Sequence, residues 1–189
     1  MYSPPFFDDV TVKGAHFDVH LSNLEQCLRR IKDCGYTLNA LKCKFLQTRI
    51  KYLGYIVENG NVSLDPERIE VITNFPTPKN VKALRRFLGM CQFCSRFLPD
   101  LNCRLIPLHN LTQKKVPYIW SPECQNAFEY AKSKFQQAPV LRLPAISDKF
   151  ILETDASDLG IGSVLKAVST DGNEFIVSYY SSKLNNTEG

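Results

Sequence analysis

Apolar residues return at three- and four-residue spacing early in the chain, at Leu21, Leu24, Leu28 and Ile31, with Asn23, Gln26, Arg30 and Asp33 on the opposite side. That periodicity predicts an amphipathic helix, stopped by Gly35. Ahead of it, residues 10–12 read as the returning strand of a short hairpin. Two strands are predicted next, at 43–47 and 49–58. The second alternates, and Asn59-Gly60 supplies the turn into Val62-Ser63-Leu64. Helical spacing then takes over. Asp65-Pro66, Thr77-Pro78 and Ser121-Pro122 each place an N-capping side chain directly before a proline suited to the first helical position. The predicted helices cover 66–74, 78–97, 102–112 and 122–137, with Leu98-Pro99 closing the second. From Phe150 the pattern reverts to strands at 150–155, 160–168 and 174–181, and Asp171-Gly172 lies in the last turn. The fold class is therefore α+β: a mixed segment, a helical block and an antiparallel sheet, with boundaries near 65 and 145. Residues 138–144 read as the linker before the sheet.

A length of 189 residues allows one large or two small domains with a real core. Hydrophobic content of 44% and charged content of 22% are ordinary for a globular protein, with no repeat or low-complexity tract. No apolar run reaches the roughly 20 residues needed to span a bilayer. Met1-Tyr2-Ser3-Pro4-Pro5 has neither a basic region nor an apolar stretch behind it, so it does not read as a signal peptide. The expected address is intracellular, cytoplasm or nucleus, with no membrane partner. Seven cysteines include one close pair, Cys91-x-x-Cys94, inside a helical pattern and without a second pair to complete a zinc site. They read as reduced, mostly buried thiols. A net charge of +4 is only mildly basic, so the placement of the cations matters more than their number.

Four places carry candidate chemistry. Asp8 and Asp9 stand between short apolar runs, and adjacent carboxylates at a hairpin tip repel each other unless a divalent cation or solvent relieves them. Leu53-Gly54-Tyr55 puts a glycine inside a strand, where another backbone can approach, beside a tyrosine able to stack or hydrogen-bond. Lys42 and Lys44 precede it, suited to phosphate contact; a bulged strand with a half-buried tyrosine accounts for the same letters. On the 78–97 helix, Leu84, Phe87, Leu88, Cys91 and Leu98 form one stripe. Lys82, Arg86, Gly89, Phe93 and Arg96 form another, with Arg85 adjacent. A basic stripe with a glycine at its middle suits a phosphate backbone, and equally suits a solvated face. Finally, Asp155 ends a strand and Gly160-Ile161-Gly162 opens the next.

Taken in order, Phe6-Phe7-Asp8-Asp9-Val10, Leu53-Gly54-Tyr55, Leu84-Arg85-Arg86-Phe87-Leu88-Gly89 and Thr154-Asp155-Ala156-Ser157 resemble the pol polyprotein of gypsy-type LTR retrotransposons. The likeness runs from about Phe6 to Glu188, with Trp120, Ala127-Phe128 and Ala138-Pro139-Val140-Leu141 at matching spacing. It implies the end of a reverse-transcriptase palm at 1–65, a helical thumb and connection at 66–145, and the first strands of a ribonuclease H-like domain at 146–189. In that reading the chain begins in the middle of one enzyme and ends in the middle of another, so the ribonuclease H sheet is incomplete.

The resemblance further implies that Asp8 and Asp9 are the paired acids of the polymerase turn, with Phe6 in place of the usual Tyr. Asp155 would be the first ribonuclease H carboxylate. All three would bind Mg2+ or Mn2+, since a two-metal clamp on attacking and leaving oxygens needs bridging carboxylates. Leu53-Gly54-Tyr55 falls at the primer grip. Lys82, Arg85, Arg86, Gly89 and Arg96 fall on the thumb helix beside an RNA/DNA template–primer duplex, and deoxynucleoside triphosphates would be substrates of the intact enzyme. The 189 residues alone are expected to be inactive, because the remaining carboxylates and the fingers lie outside them, and metal is not expected to bind stably. Asp158, Asp171, Glu174 and Glu188 are poor substitutes, falling in turns or at a chain end. Lys166 replaces a frequent Gln, and Tyr180-Ser181-Ser182-Lys183 replaces a more usual Ala-Ser-Arg. The alternatives are a module that grips duplex without chemistry, or a decayed reading frame. Pro4-Pro5 sits badly in a central palm strand and favours those two.

Overall fold

A computed structural model of the chain describes residues 9–158 and 160–184. It divides into two compact units, residues 1–48 and residues 49–189.

In the first unit, α1 (Phe17–Asp33) is the amphipathic helix expected from its leucine spacing, with Arg30 and Lys32 in its last turn, where the helix dipole favours cations. Gly35 ends it at φ +76°. Cys27 is its one buried residue, and Leu21 and Leu28 remain partly exposed. Two expected strands are absent. Residues 10–12 form no strand, and Asn23 Nδ2 on α1 donates to Lys13 O at 2.8 Å, drawing the preceding segment onto the helix. Instead of a strand at 43–47, Asn39 caps a 3-10 turn at Ala40–Lys42, and Leu46 takes φ +53°, which a strand does not accommodate.

The second unit opens with an antiparallel meander, β1 (Arg49–Tyr52), β2 (Tyr55–Glu58) and β3 (Asn61–Leu64). Leu53 and Gly54, at φ +50° and +80°, make the first turn, and Asn59-Gly60, at +48° and +77°, makes the second. The predicted linker is not loose. Leu141–Arg142 is a short strand, β4, paired with β3 through Val62↔Leu141 and Asn61↔Arg142. Leu141 is only 2% exposed, and this burial holds the linker in the sheet.

Helices follow the proline signals with two corrections. In α2 (Pro66–Thr73), Asp65 accepts from Glu67 N, and in α6 (Pro122–Gln136), Ser121 accepts from Cys124 N. Thr77-Pro78 does not start α3, which runs Val81–Cys94 with Asn80 accepting from Ala83 N at 2.9 Å. The Pro78 carbonyl instead receives the Tyr118 hydroxyl at 2.7 Å. The helix expected at 102–112 is two short ones, α4 (Leu101–Arg104) and α5 (Ile106–Asn110). Pro107 has no N–H for the Cys103 carbonyl, so the ladder breaks there. Phe87, Phe97, Phe128, Phe135, Ile72 and Leu84 are the largest fully buried side chains of one core that β3, β4 and the helices of this unit share.

The second sheet has the order β5 (Lys149–Ser157), β6 (Gly160–Val168), β7 (Glu174–Lys183), all antiparallel. β7 fastens it to the helical block. Asn102 donates from its backbone N to Ser181 Oγ at 3.0 Å and from Nδ2 to Ser181 O at 2.7 Å. Lys166 crosses the strands to Glu153 at 2.6 Å and Glu174 at 2.9 Å, which accounts for a lysine at that position. The outer strand β5 is exposed along its whole length.

Candidate nucleic-acid interface

The helix α3 buries Leu84, Phe87, Leu88, Cys91 and Cys94, so its opposite side necessarily faces outward. Lys82, Arg86 and Gly89 are exposed there, and a Cβ at Gly89 would meet nothing within 4 Å. The bare backbone at Gly89 lies about one turn beyond Arg86, and the Lys82 ammonium and Arg86 guanidinium have no partner among the described residues. Arg85 differs. Its Nη2 donates to Thr112 O at 2.9 Å, tying α3 to the turn that follows α5. Arg96 is half-buried, and its Nε is buried without a hydrogen-bond partner among the described residues.

The Leu53-Gly54-Tyr55 segment adjoins this helix. Tyr55 stacks on Phe93 with centroids 5.0 Å apart and planes 12° off parallel, and lies 5.7 Å from the Phe97 ring. Its hydroxyl donates to Phe93 O at 3.1 Å. Burial pushes the Tyr55 pKa up, with the nearby Cys94 adding to the shift, against the pull of Arg96 and Arg68. Tyr55 thus anchors β2 to α3, and its hydroxyl is engaged within the protein instead of offered to a strand terminus. Arg68, which spacing in the sequence did not single out, lies over Phe93 with Cζ 4.1 Å from the centroid. Only the three-dimensional approach of α2 to the β1–β2 turn brings it there. Below it, Asp65 is held under the usual carboxylate range by its hydrogen bond to Lys51, with Nζ to Oδ2 at 2.6 Å.

The remaining sequence-derived residues are scattered. Lys42 and Lys44 are exposed in the first unit. Asp9 is exposed, and Asp8 lies outside the described residues. Asp155 is exposed on β5, opposite Gly162. Among the described residues, no three His, Cys, Asp or Glu side chains gather to hold a metal ion. Of the seven cysteines, Cys27, Cys91, Cys94 and Cys124 are buried and all are free thiols, as expected. Burial raises the Cys94 thiol to about 11. No helix among the described residues is long and apolar enough to cross a membrane.

Residues 120–189 match the family of RNase H-like domains found in reverse transcriptase. The Tf2-3 and Tf2-4 transposon polyproteins of Schizosaccharomyces pombe are each 32% identical over 183 residues, covering 97% of this chain. The chain spans 14% of the length of those polyproteins. The resemblance to gypsy-type LTR retrotransposon pol therefore holds across nearly the whole chain. Among solved structures, a foamy viral protease–reverse transcriptase in complex with an RNA/DNA hybrid matches with a TM-score of 0.83 at 22% identity, covering 99% of this chain and 25% of that one. The foamy viral protease–reverse transcriptase dRH in complex with double-stranded DNA matches at 0.82 and 23%, covering 99% of this chain and 33% of that one. These two establish the α+β fold.

Proposed function

We propose that the chain is part of an RNA-directed DNA polymerase together with the beginning of its ribonuclease H domain, and that α3 holds a template–primer duplex. Residues 1–65 are assigned to the end of the palm, 66–145 to thumb and connection, and 146–189 to the first ribonuclease H strands. The observation that carries the reading is the outward face of α3, where Lys82 and Arg86 are exposed and unpartnered among the described residues beside the open backbone of Gly89. Cations on one helix face bind phosphates regardless of sequence, since each neutralised phosphate releases counterions. The foamy viral neighbours, seen with RNA/DNA hybrid and with double-stranded DNA, support the same class of partner. In the whole enzyme, Asp8 and Asp9 would contribute to the polymerase metal site and Asp155 to the ribonuclease H site, with Mg2+ or Mn2+ supplying charge neutralisation at the phosphoryl oxygens and deoxynucleoside triphosphates as substrates.

The test is a salt titration of primed DNA duplex binding by fluorescence anisotropy. Wild type should show a log–log slope of about −0.9 per contacted phosphate, and the Lys82→Ala, Arg86→Ala double variant should lose about two such contacts. Alanine is a good helix former, so helix content should be unchanged. Coincident slopes for the two proteins would reduce this face to solvated surface.

A further inference from the structure

Three rings and two guanidinium groups beside the β1–β2 turn form a row. Arg68 lies 4.1 Å from the Phe93 centroid, Phe93 stacks on Tyr55 at 5.0 Å, Tyr55 lies 5.7 Å from Phe97, and Arg96 is 5.9 Å from the Phe97 centroid. Both guanidinium groups carry donors with no protein partner: the Arg68 guanidinium forms no ion pair or hydrogen bond among the described residues, and Arg96 Nε is buried without a hydrogen-bond partner there. Asp65, the acid that feels the charge of Arg68, is already bound by Lys51 at 2.6 Å and by Glu67 N at 3.2 Å.

Gly54 gives the second observation. It sits at φ +80°, and a Cβ there would run into the Arg68 guanidinium. The glycine leaves room for the guanidinium between the turn and Phe93. There the guanidinium sits over the ring while its N–H donors have no partner among the described residues, a state in which arginine can grip a phosphate. A guanidinium present only for packing would gain from a carboxylate or carbonyl partner, and none of the described residues supplies one.

We propose that Arg68 and Arg96, at the two ends of this aromatic row, contact two phosphates of one nucleic-acid strand as it passes the Leu53-Gly54 turn, Arg68 being a phosphate ligand beyond those on the face of α3. The inference rests on the duplex-binding reading above. Tyr55, Phe93 and Phe97 position the two cations and do not themselves need to touch the strand.

The experiment uses the full chain and primed DNA duplex. Arg68→Gln should lower the salt slope by about 0.9, and Arg68→Lys, which keeps a point charge, should retain most of it. Phenylglyoxal modification of the wild-type chain, read by peptide mass spectrometry, supplies a measurement that needs no variant. Arg68 should react in the free chain and be protected by duplex. Should Arg68→Gln bind with wild-type slope while the Lys82→Ala, Arg86→Ala variant is weakened, Arg68 is no phosphate ligand and the α3 reading survives. Equal labelling of Arg68 with and without bound duplex would overturn the inference in the same way. Absence of salt-dependent duplex binding by wild type would remove both.

Discussion

Asp65 links the first sheet to the helix that carries Arg68, and its contribution can be separated into two parts. Its carboxylate caps α2 through Glu67 N at 3.2 Å and pairs with Lys51 on β1 at 2.6 Å. Replacing an N-cap aspartate with alanine costs about 1 kcal/mol. Lys51 is 46% exposed and also reaches Glu67 at 2.7 Å, so the ion pair should contribute no more than about 1 kcal/mol. Asp65→Ala should therefore destabilise by about 1–2 kcal/mol, which in a protein of this size lowers the melting temperature by about 2–8 °C. Asp65→Asn keeps the cap and loses only the ion pair, so it should recover about 1 kcal/mol of that loss. Trp120 is the single tryptophan of the chain and packs edge-on to Phe128 at 5.9 Å, so its fluorescence reports the helical core. Thermal unfolding followed at Trp120 should place the asparagine variant between wild type and alanine at low salt. In high salt, screening weakens the ion pair only in part, because the Asp65 carboxylate is buried, and the asparagine variant should move toward wild type. An asparagine variant as unstable as the alanine one, at either salt, would refute the capping argument.

Two further outcomes test the packing. Leu141→Ala empties a site that is 2% exposed, so it should cost about 2–4 kcal/mol and free β4, speeding tryptic cleavage after Arg142; an unchanged cleavage rate would mean that β4 is not pinned by Leu141. His109 is held below its ordinary 6.5 by burial and then by the charge of Lys183. The unfolded chain therefore takes up the proton first, and stability should fall as pH drops through 6.5 toward the depressed folded value, then level off until carboxylates such as Asp65 protonate below 3.8. Melting curves read at Trp120 between about pH 8 and about pH 5 should show this slope in wild type and lose it in His109→Gln; equal slopes would exclude His109 as its origin.

Local rules in the sequence were sufficient for most elements, because their causes are local. The leucine spacing of α1, the Asp65-Pro66 and Ser121-Pro122 caps, Asn59-Gly60 and the 160–168 strand act within a few residues, and each element formed where expected. The outward placement of Lys82, Arg86 and Gly89 was legible for the same reason, since the apolar stripe of α3 dictates its opposite face. Other features depended on contacts between distant residues. The 138–144 linker became a strand because Leu141 could be buried against β3, a gain no local pattern records. Tyr55 was drawn into an aromatic row by Phe93 and Phe97, so its hydroxyl bonds Phe93 O. Arg85 found the Thr112 carbonyl, and Arg68, on a different helix, reached the space that Gly54 leaves open. Spacing along the chain determined which cations face outward; packing between elements decided which of them keep free donors, because a hydrogen-bond partner is set by proximity in space.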